Sequence, residues 1–294
     1  RDWEGHAELV KLNLQNPAVL DYIRRAAEFW TDEFGIDGLR LDVAYLLPEW
    51  FFEFLRGVVA ARRQDFFLMG EVVHIQNFAK NVAAGRLYSI TNYECCKGLM
   101  SALNSDNFFE IAHSLERLFG AQPWCLYTGK NLFSFVDNHD ISRACTALGD
   151  KRKLAALYAV LYAMPGIPCV YYGSEFGAEG DKRQGDAALR PAFAELDKAA
   201  HPELCALIRA LNGIRTGQRA LAYGNFEKCV LSNKYFCFRG EYGGERIYCA
   251  ANISEEAVTV RAEEAEGTDL LTGEVRNLND IYLPPFSAKI FRKN

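Results

Sequence analysis

Gly38-Leu39-Arg40-Leu41-Asp42-Val43 is a short apolar run that carries one arginine and one aspartate, two residues apart. Alternate side chains of a strand point to the same side. As a strand, the run sets Arg40 and Asp42 on one face and Leu39, Leu41 and Val43 on the other. A cation beside a carboxylate favours its charged form, so the run reads as a mount for a nucleophile.

The flanks place this strand in a repeating βα chain. Asn16-Pro17 is a helix start, an N-cap oxygen followed by proline at the first helical position. Val19, Ile23, Ala26, Ala27, Trp30 and Phe34 then recur at helical spacing, and Gly35 suits the residue after the helix. Pro48 opens a second helix, with Trp50, Phe51, Phe54, Leu55, Val58 and Val59 expected inward. Helix, strand and helix joined by short connections imply parallel strands with helices packed outside.

Further strands are expected at Phe66–Glu71, Leu87–Thr91, Leu132–Val136 and Pro168–Gly173, with amphipathic stretches at 94–103 and 107–119. Helices are expected at Lys151–Ala163 and Pro202–Ile214. Past Gln218 the texture changes to short β-rich segments separated by Gly, Asn, Pro and charged turns: Cys229–Asn233, Tyr235–Arg239, Arg246–Asn252, Val258–Arg261 and Ala288–Arg292. That pattern is an antiparallel β-sandwich. The expected domains are thus residues 1–217, an α/β barrel portion, and 218–294, the sandwich.

With 294 residues, half of them apolar, and a net charge of −5, the chain can bury a large core in one or two domains. The mild acidity excludes a basic nucleic-acid-binding surface, and no apolar run reaches membrane-spanning length. The sequence starts Arg1-Asp2-Trp3, which is neither a signal peptide nor an initiator methionine. Nine scattered cysteines without a CxxC or Cys/His cluster read as free thiols, in a reducing and hence cytoplasmic setting.

Three acids, Asp42, Glu71 and Asp140, each fall at or just beyond the C-terminal end of an expected parallel strand. In a barrel of parallel strands, catalytic groups collect at that end. Asp42 and Glu71 are 29 residues apart, one βα unit, so adjacent strands can bring the two together. Two carboxyl groups about 5–5.5 Å apart suit retaining glycoside hydrolysis, in which one attacks the anomeric carbon and the other protonates the leaving oxygen. Each residue also has a plainer reading. Asp42 can cap a turn, Glu71 can pair with a surface lysine, Asp140 can cap a helix beginning near Ile141, and His139 can be structural. Repetition of acids at strand ends favours the catalytic reading.

Gly38-Leu39-Arg40-Leu41-Asp42, Gly70-Glu71-Val72 and Phe135-Val136-Asp137-Asn138-His139-Asp140 resemble three ordered signature regions of the α-amylase family of glycoside hydrolases. Gly166–Glu175 resembles that family's last barrel strand. Leu9-Val10-Lys11-Leu12-Asn13 is similar to the M-P-K-L-N segment of the neopullulanase, cyclomaltodextrinase and maltogenic amylase branch, with Val10 in place of proline. Val73 stands where that branch usually has tryptophan. The resemblance implies Asp42 as nucleophile, Arg40 as the group that keeps it ionised and oriented, and Glu71 as acid/base. It implies Asp140 and His139 as the holders of the reacting sugar. No cofactor is required, and the substrate would be an α-1,4-glucan: maltodextrin, cyclodextrin or starch.

Nothing in the chain matches the family's early Asp-x-Val-x-Asn-His signature, which in many members also supplies an asparagine for structural calcium. The chain therefore reads as strands four to eight of a (β/α)8 barrel followed by a β-sandwich, with the first strands expected from an N-terminal barrel fragment or from self-association. Calcium is unsupported by this chain. Two alternatives stand beside hydrolysis: transglycosylation by the same residues, and a non-catalytic barrel that serves binding or assembly.

Overall fold

The structure, a computed structural model, describes residues 2–294. The chain divides into two compact units, Arg1–Ile90 and Thr91–Asn294.

The first unit opens with an antiparallel hairpin, β1 (Asp2–Trp3) and β2 (His6–Val10), that the sequence reading does not anticipate. Helix α1 (Pro17–Phe34) starts as expected. The Asn16 side chain accepts from the Ala18 amide at 3.0 Å, and Gly35 closes the helix at φ 60°. Strand β3 (Gly38–Leu41), helix α2 (Glu49–Ala60), strand β4 (Phe67–Gly70), helix α3 (Ala79–Ala83) and strand β5 (Ser89–Ile90) follow. The sheet is parallel in the order β3-β4-β5, with Arg40 opposite Met69 and Leu41 opposite Gly70. Gly38 is required by close approach, since a Cβ there would lie 2.4 Å from the Phe67 carbonyl oxygen.

Two inward faces differ from expectation. On α2 the buried residues are Phe51, Phe52, Leu55 and Val59, while Trp50 is 40 % exposed. Phe52 takes the inward place given to Trp50. On α1 only Ala27 of the apolar stripe is buried, and Trp30 and Phe34 stay more than half exposed. Strand β3 is one edge of this sheet among the described residues, and α2 packs against α1.

The second unit begins at the parallel bridge Thr91–Phe133, and strand β6 (Phe133–Ser134) pairs in parallel with β7 (Ile167–Pro168). Buried Asn92 ties these parts together. Its amide donates to the Ser134 hydroxyl at 3.1 Å, and its oxygen caps helix α4 (Tyr93–Asn104) through the Cys95 amide. Helix α5 (Phe109–Phe119) packs on α4, joined by an Arg117–Glu94 ion pair. Then come α6 (Ala144–Ala147), α7 (Leu154–Ala163), α8 (Asp186–Leu189), α9 (Pro202–Gly217) and α10 (Arg219–Tyr223). Helix α7 is apolar on every side, and nine of its residues are buried, so it is an interior helix.

The sheet-rich region holds β8 (Glu227–Leu231), β9 (Tyr235–Tyr242), β10 (Glu245–Asn252), β11 (Val258–Val260), β12 (Glu266–Asp269), β13 (Val275–Asn277), β14 (Ile281–Leu283) and β15 (Ser287–Lys293). Six of these form an antiparallel sheet in the order β13-β12-β15-β10-β9-β8, and β11 pairs with β14. Cys237, Tyr248 and Phe291 of the larger sheet share one core with Val260, Ile281 and Leu283 of the smaller. All nine cysteines are free thiols. Burial pushes Cys96 up to about 12 and Cys169 up to about 11, which leaves both largely unreactive. No helix among the described residues is long and apolar enough to cross a membrane.

Candidate active site

Strand β3 stops one residue before Asp42, and Val43 adopts φ 47°, the left-handed region that β-branched residues rarely enter. Val43 therefore lies in a turn and does not continue the face of Leu39 and Leu41, which corrects the six-residue strand expected from alternation. Hydrogen bonds from the neighbouring strand end hold the turn. The Glu71 amide donates to the Leu41 carbonyl at 2.8 Å, the Ala44 amide to the Glu71 carbonyl at 2.9 Å, and the Val43 amide to Glu71 Oε2 at 3.0 Å. Gly70 leaves room for this, since a Cβ there would sit 2.7 Å from the Ala44 side chain.

The result is a tight ionic group. Arg40 donates through Nη1 to Asp42 and pairs through Nη2 with Glu71 Oε1 at 3.0 Å. One guanidinium thus grips both carboxylates, in the fork geometry that suits arginine and not lysine. The Asp42 side chain is 73 % exposed and that of Glu71 only 10 %. The first is open to an incoming molecule and the second is walled in. The sequence reading omits Tyr45, whose phenol is pushed up by burial and then by the charges of Glu4, Glu71 and Asp42. Its nearness to Asp42 in sequence was the available signal.

His139 and Asp140 stand on the loop after β6 in the second unit. Asn138 shapes this loop by accepting from the Asp140 amide at 2.8 Å and the Ile141 amide at 3.1 Å, while its own amide donates to the Tyr93 hydroxyl. Asp140 is not a helix cap: the next helix begins at Ala144, and the turn acceptor is Asn138. Asp140 Oδ2 lies 3.0 Å from His139 Nε2, and Oδ1 accepts from Arg190 Nη2 at 3.0 Å. Arg190 also donates through Nε to the His139 carbonyl at 3.1 Å and lies 3.6 Å from Asp186. Nothing local in the sequence pointed to Arg190.

Beneath this loop, Asp137 and Arg143 are almost completely buried. Asp137 Oδ2 accepts from the Ala144 amide at 2.8 Å and the Ser174 hydroxyl at 2.7 Å, with Arg143 Nε 3.9 Å away. Burial pushes the Asp137 carboxyl above its ordinary range, against the lowering effect of those two donors and of Arg143. The structure thus brings Arg40, Asp42 and Glu71 into one group of the first unit, and His139 and Asp140 into another of the second. Among the described residues no group of three or more His, Cys, Asp or Glu is placed to hold a metal ion.

Residues 3–210 match the family model for the α-amylase catalytic domain. The chain belongs to the α-amylase family. It is 28 % identical over 306 residues to a cyclomaltodextrinase from Thermoanaerobacter pseudethanolicus, covering 99 % of this chain and 51 % of that one. It is also 28 % identical over 257 residues to a cyclomaltodextrin glucanotransferase from Geobacillus stearothermophilus, covering 85 % of this chain and 34 % of the relative. Among solved structures, an Anoxybacillus α-amylase superposes with a TM-score of 0.81 at 26 % identity, covering 97 % of this chain and 65 % of that one. The chain spans about half the length of the cyclomaltodextrinase and about a third of the glucanotransferase. The expected family membership holds, and the cyclomaltodextrinase carries a name from the expected branch.

Proposed function

We propose that this chain carries the reacting groups of a retaining α-glycoside hydrolase for α-1,4-glucans such as maltodextrin, cyclodextrin or starch. The observation that carries the proposal is the single guanidinium of Arg40 shared by Asp42 and Glu71 at the ends of adjacent parallel strands. In the first step Asp42 attacks the anomeric carbon, the bond to the leaving glycosidic oxygen breaks, and Glu71 gives that oxygen a proton. In the second, Glu71 takes a proton from water, the water oxygen attacks the same carbon, and Asp42 is released. Asp140 and His139 hold hydroxyls of the reacting sugar. No cofactor enters these steps.

The finer fold is part of the same reading. The strands near 38, 67, 89, 133 and 167, each with parallel pairing, support strands four to eight of a (β/α)8 barrel over residues 1–217. The paired sheets support a β-sandwich over 218–294. An N-terminal barrel segment or a second copy would pair with β3. The free thiols support a cytoplasmic setting.

The test is reducing-sugar release from maltotriose and β-cyclodextrin by the native polypeptide and by Asp42→Asn, with the anomer first formed followed by NMR. Release of the α-anomer, lost in Asp42→Asn, is expected; a β-anomer would overturn retention. The match to a glucanotransferase favours a second reading, transfer of the glycosyl group to a sugar hydroxyl. Maltotetraose or longer products from maltotriose would establish it. Binding of maltodextrin without turnover would instead favour a non-catalytic barrel.

A further inference from the structure

Arg190 is held from both sides. The Leu189 carbonyl before it accepts from Arg143 Nη1 at 3.4 Å, and the Pro191 carbonyl after it accepts from the Tyr172 hydroxyl at 2.6 Å. Arg143 is itself immobilised. It is 0 % exposed, donates through Nη2 to the Tyr172 carbonyl, and stacks its guanidinium 4.2 Å from the Tyr171 ring centroid. Gly173 and Gly180 close on it so tightly that a Cβ at either would fall within 2.9 Å of its side chain. The Arg143 amide donates to the Gly180 carbonyl at 2.9 Å, so the loop carrying Asp140 and the loop carrying Arg190 are fastened at several points.

An exposed arginine–carboxylate pair adds little to stability, and Arg190 and Asp140 are 44 % and 37 % exposed. Buried groups that fix such a pair act on where its atoms stand. With Oδ1 on Arg190 and Oδ2 near His139 Nε2, the Asp140 carboxylate has one orientation, and each oxygen keeps a further lone pair for a sugar hydroxyl. We propose that Arg190 is a positioning residue that sets Asp140 for the reacting sugar, and that Arg143 and Tyr172 position Arg190. The proposal rests on the glycosidase reading above.

The test compares the native polypeptide with Asp42→Asn, Arg190→Ala, Arg190→Lys and Tyr172→Phe on maltotriose, with kcat, KM and melting temperature measured for each. Arg190→Ala is expected to lower kcat roughly ten- to hundred-fold, the scale of a misplaced reacting group, with KM changed less. Its melting temperature should stay within about 2 °C of native, as for a surface substitution. Arg190→Lys should recover most of the lost kcat. Tyr172→Phe, which removes only the hydroxyl bonded to Pro191, should cost about two- to five-fold, the scale of one hydrogen bond. Native kcat in both Arg190→Ala and Tyr172→Phe, while Asp42→Asn is inactive, would overturn the proposal and leave the glycosidase reading standing. A fall in kcat that follows a fall in melting temperature, with no recovery in Arg190→Lys, would also overturn it. Absence of any Asp42-dependent hydrolysis would remove both.

Discussion

Two acid groups of this chain are each tied by an arginine, and the ties are built differently. Arg40 sits two residues from Asp42 on the same strand, and its second nitrogen reaches Glu71 on the adjacent strand. Arg190 reaches Asp140 across 50 residues and depends on a buried frame of side chains. In the first group the backbone of a parallel sheet does the placing. In the second, side chains beneath two loops do it. A strand pair fixes its side chains through register alone, whereas a loop needs anchors of its own.

The largest effect should fall on the first group. Asp42→Asn is expected to cut turnover of maltotriose on the order of 10⁴-fold, as for loss of a nucleophile, with the melting temperature unchanged because the side chain is 73 % exposed. Glu71→Gln should fall comparably on maltotriose but far less on maltosyl fluoride, whose leaving group needs no proton. Equal losses on the two substrates would take the acid role away from Glu71 and break the contrast with Asp140.

Next in size is the pair of arginine-to-lysine exchanges. Lysine is a point charge and cannot span two carboxylates as a fork does. Arg40→Lys should therefore lower kcat roughly a hundred-fold, while Arg190→Lys, facing mainly one carboxylate, stays close to native. Kinetics of the two variants side by side would sharpen the comparison, and similar losses in both would erase it.

The smallest effect is a slope. Burial raises the Asp137 carboxyl in the folded chain, so its contribution to stability is full below the ordinary carboxylate range. That contribution is lost as pH climbs through the raised value. Asp137→Asn removes this titration. The melting temperature of the variant minus that of the native chain should therefore rise as pH goes from about 4 toward 7. Thermal melts across that range check it, and a flat or falling difference would mean that Arg143 and the two hydrogen-bond donors outweigh burial.

The two groups also differ in how far the sequence reveals them. Asp42 and Glu71 follow apolar runs whose alternation and spacing are local, and the starts of α1 and α2 are written in Asn16-Pro17 and Pro48. Arg190 is invisible to such reasoning, because its neighbours are set by the path of residues 172–191 and not by any period. The Val43 turn is hidden for a related reason: alternation predicts a continuing strand, and only the bonds from Glu71 bend it. Strands β12 to β14 escape notice since each is only three or four residues long, and Glu266-Gly267-Thr268-Asp269 is also poor in β-forming residues.

Helix α7 has a consequence for how this part of the chain could be handled as a module. It is buried on all sides and packs against α9, β10 and β15, and the Cys249 thiol donates to its Ala159 carbonyl at 3.8 Å. The visible change of texture at Gln218 is thus a poor place for a recombination junction. A protease nick there would leave the two pieces clasped around a common helix, and cutting away residues 218–294 would expose the nonpolar surface of α7 that β10 and β15 cover. Under native-state hydrogen exchange, α7 and β10 should open together, as one cooperative block with its seam elsewhere.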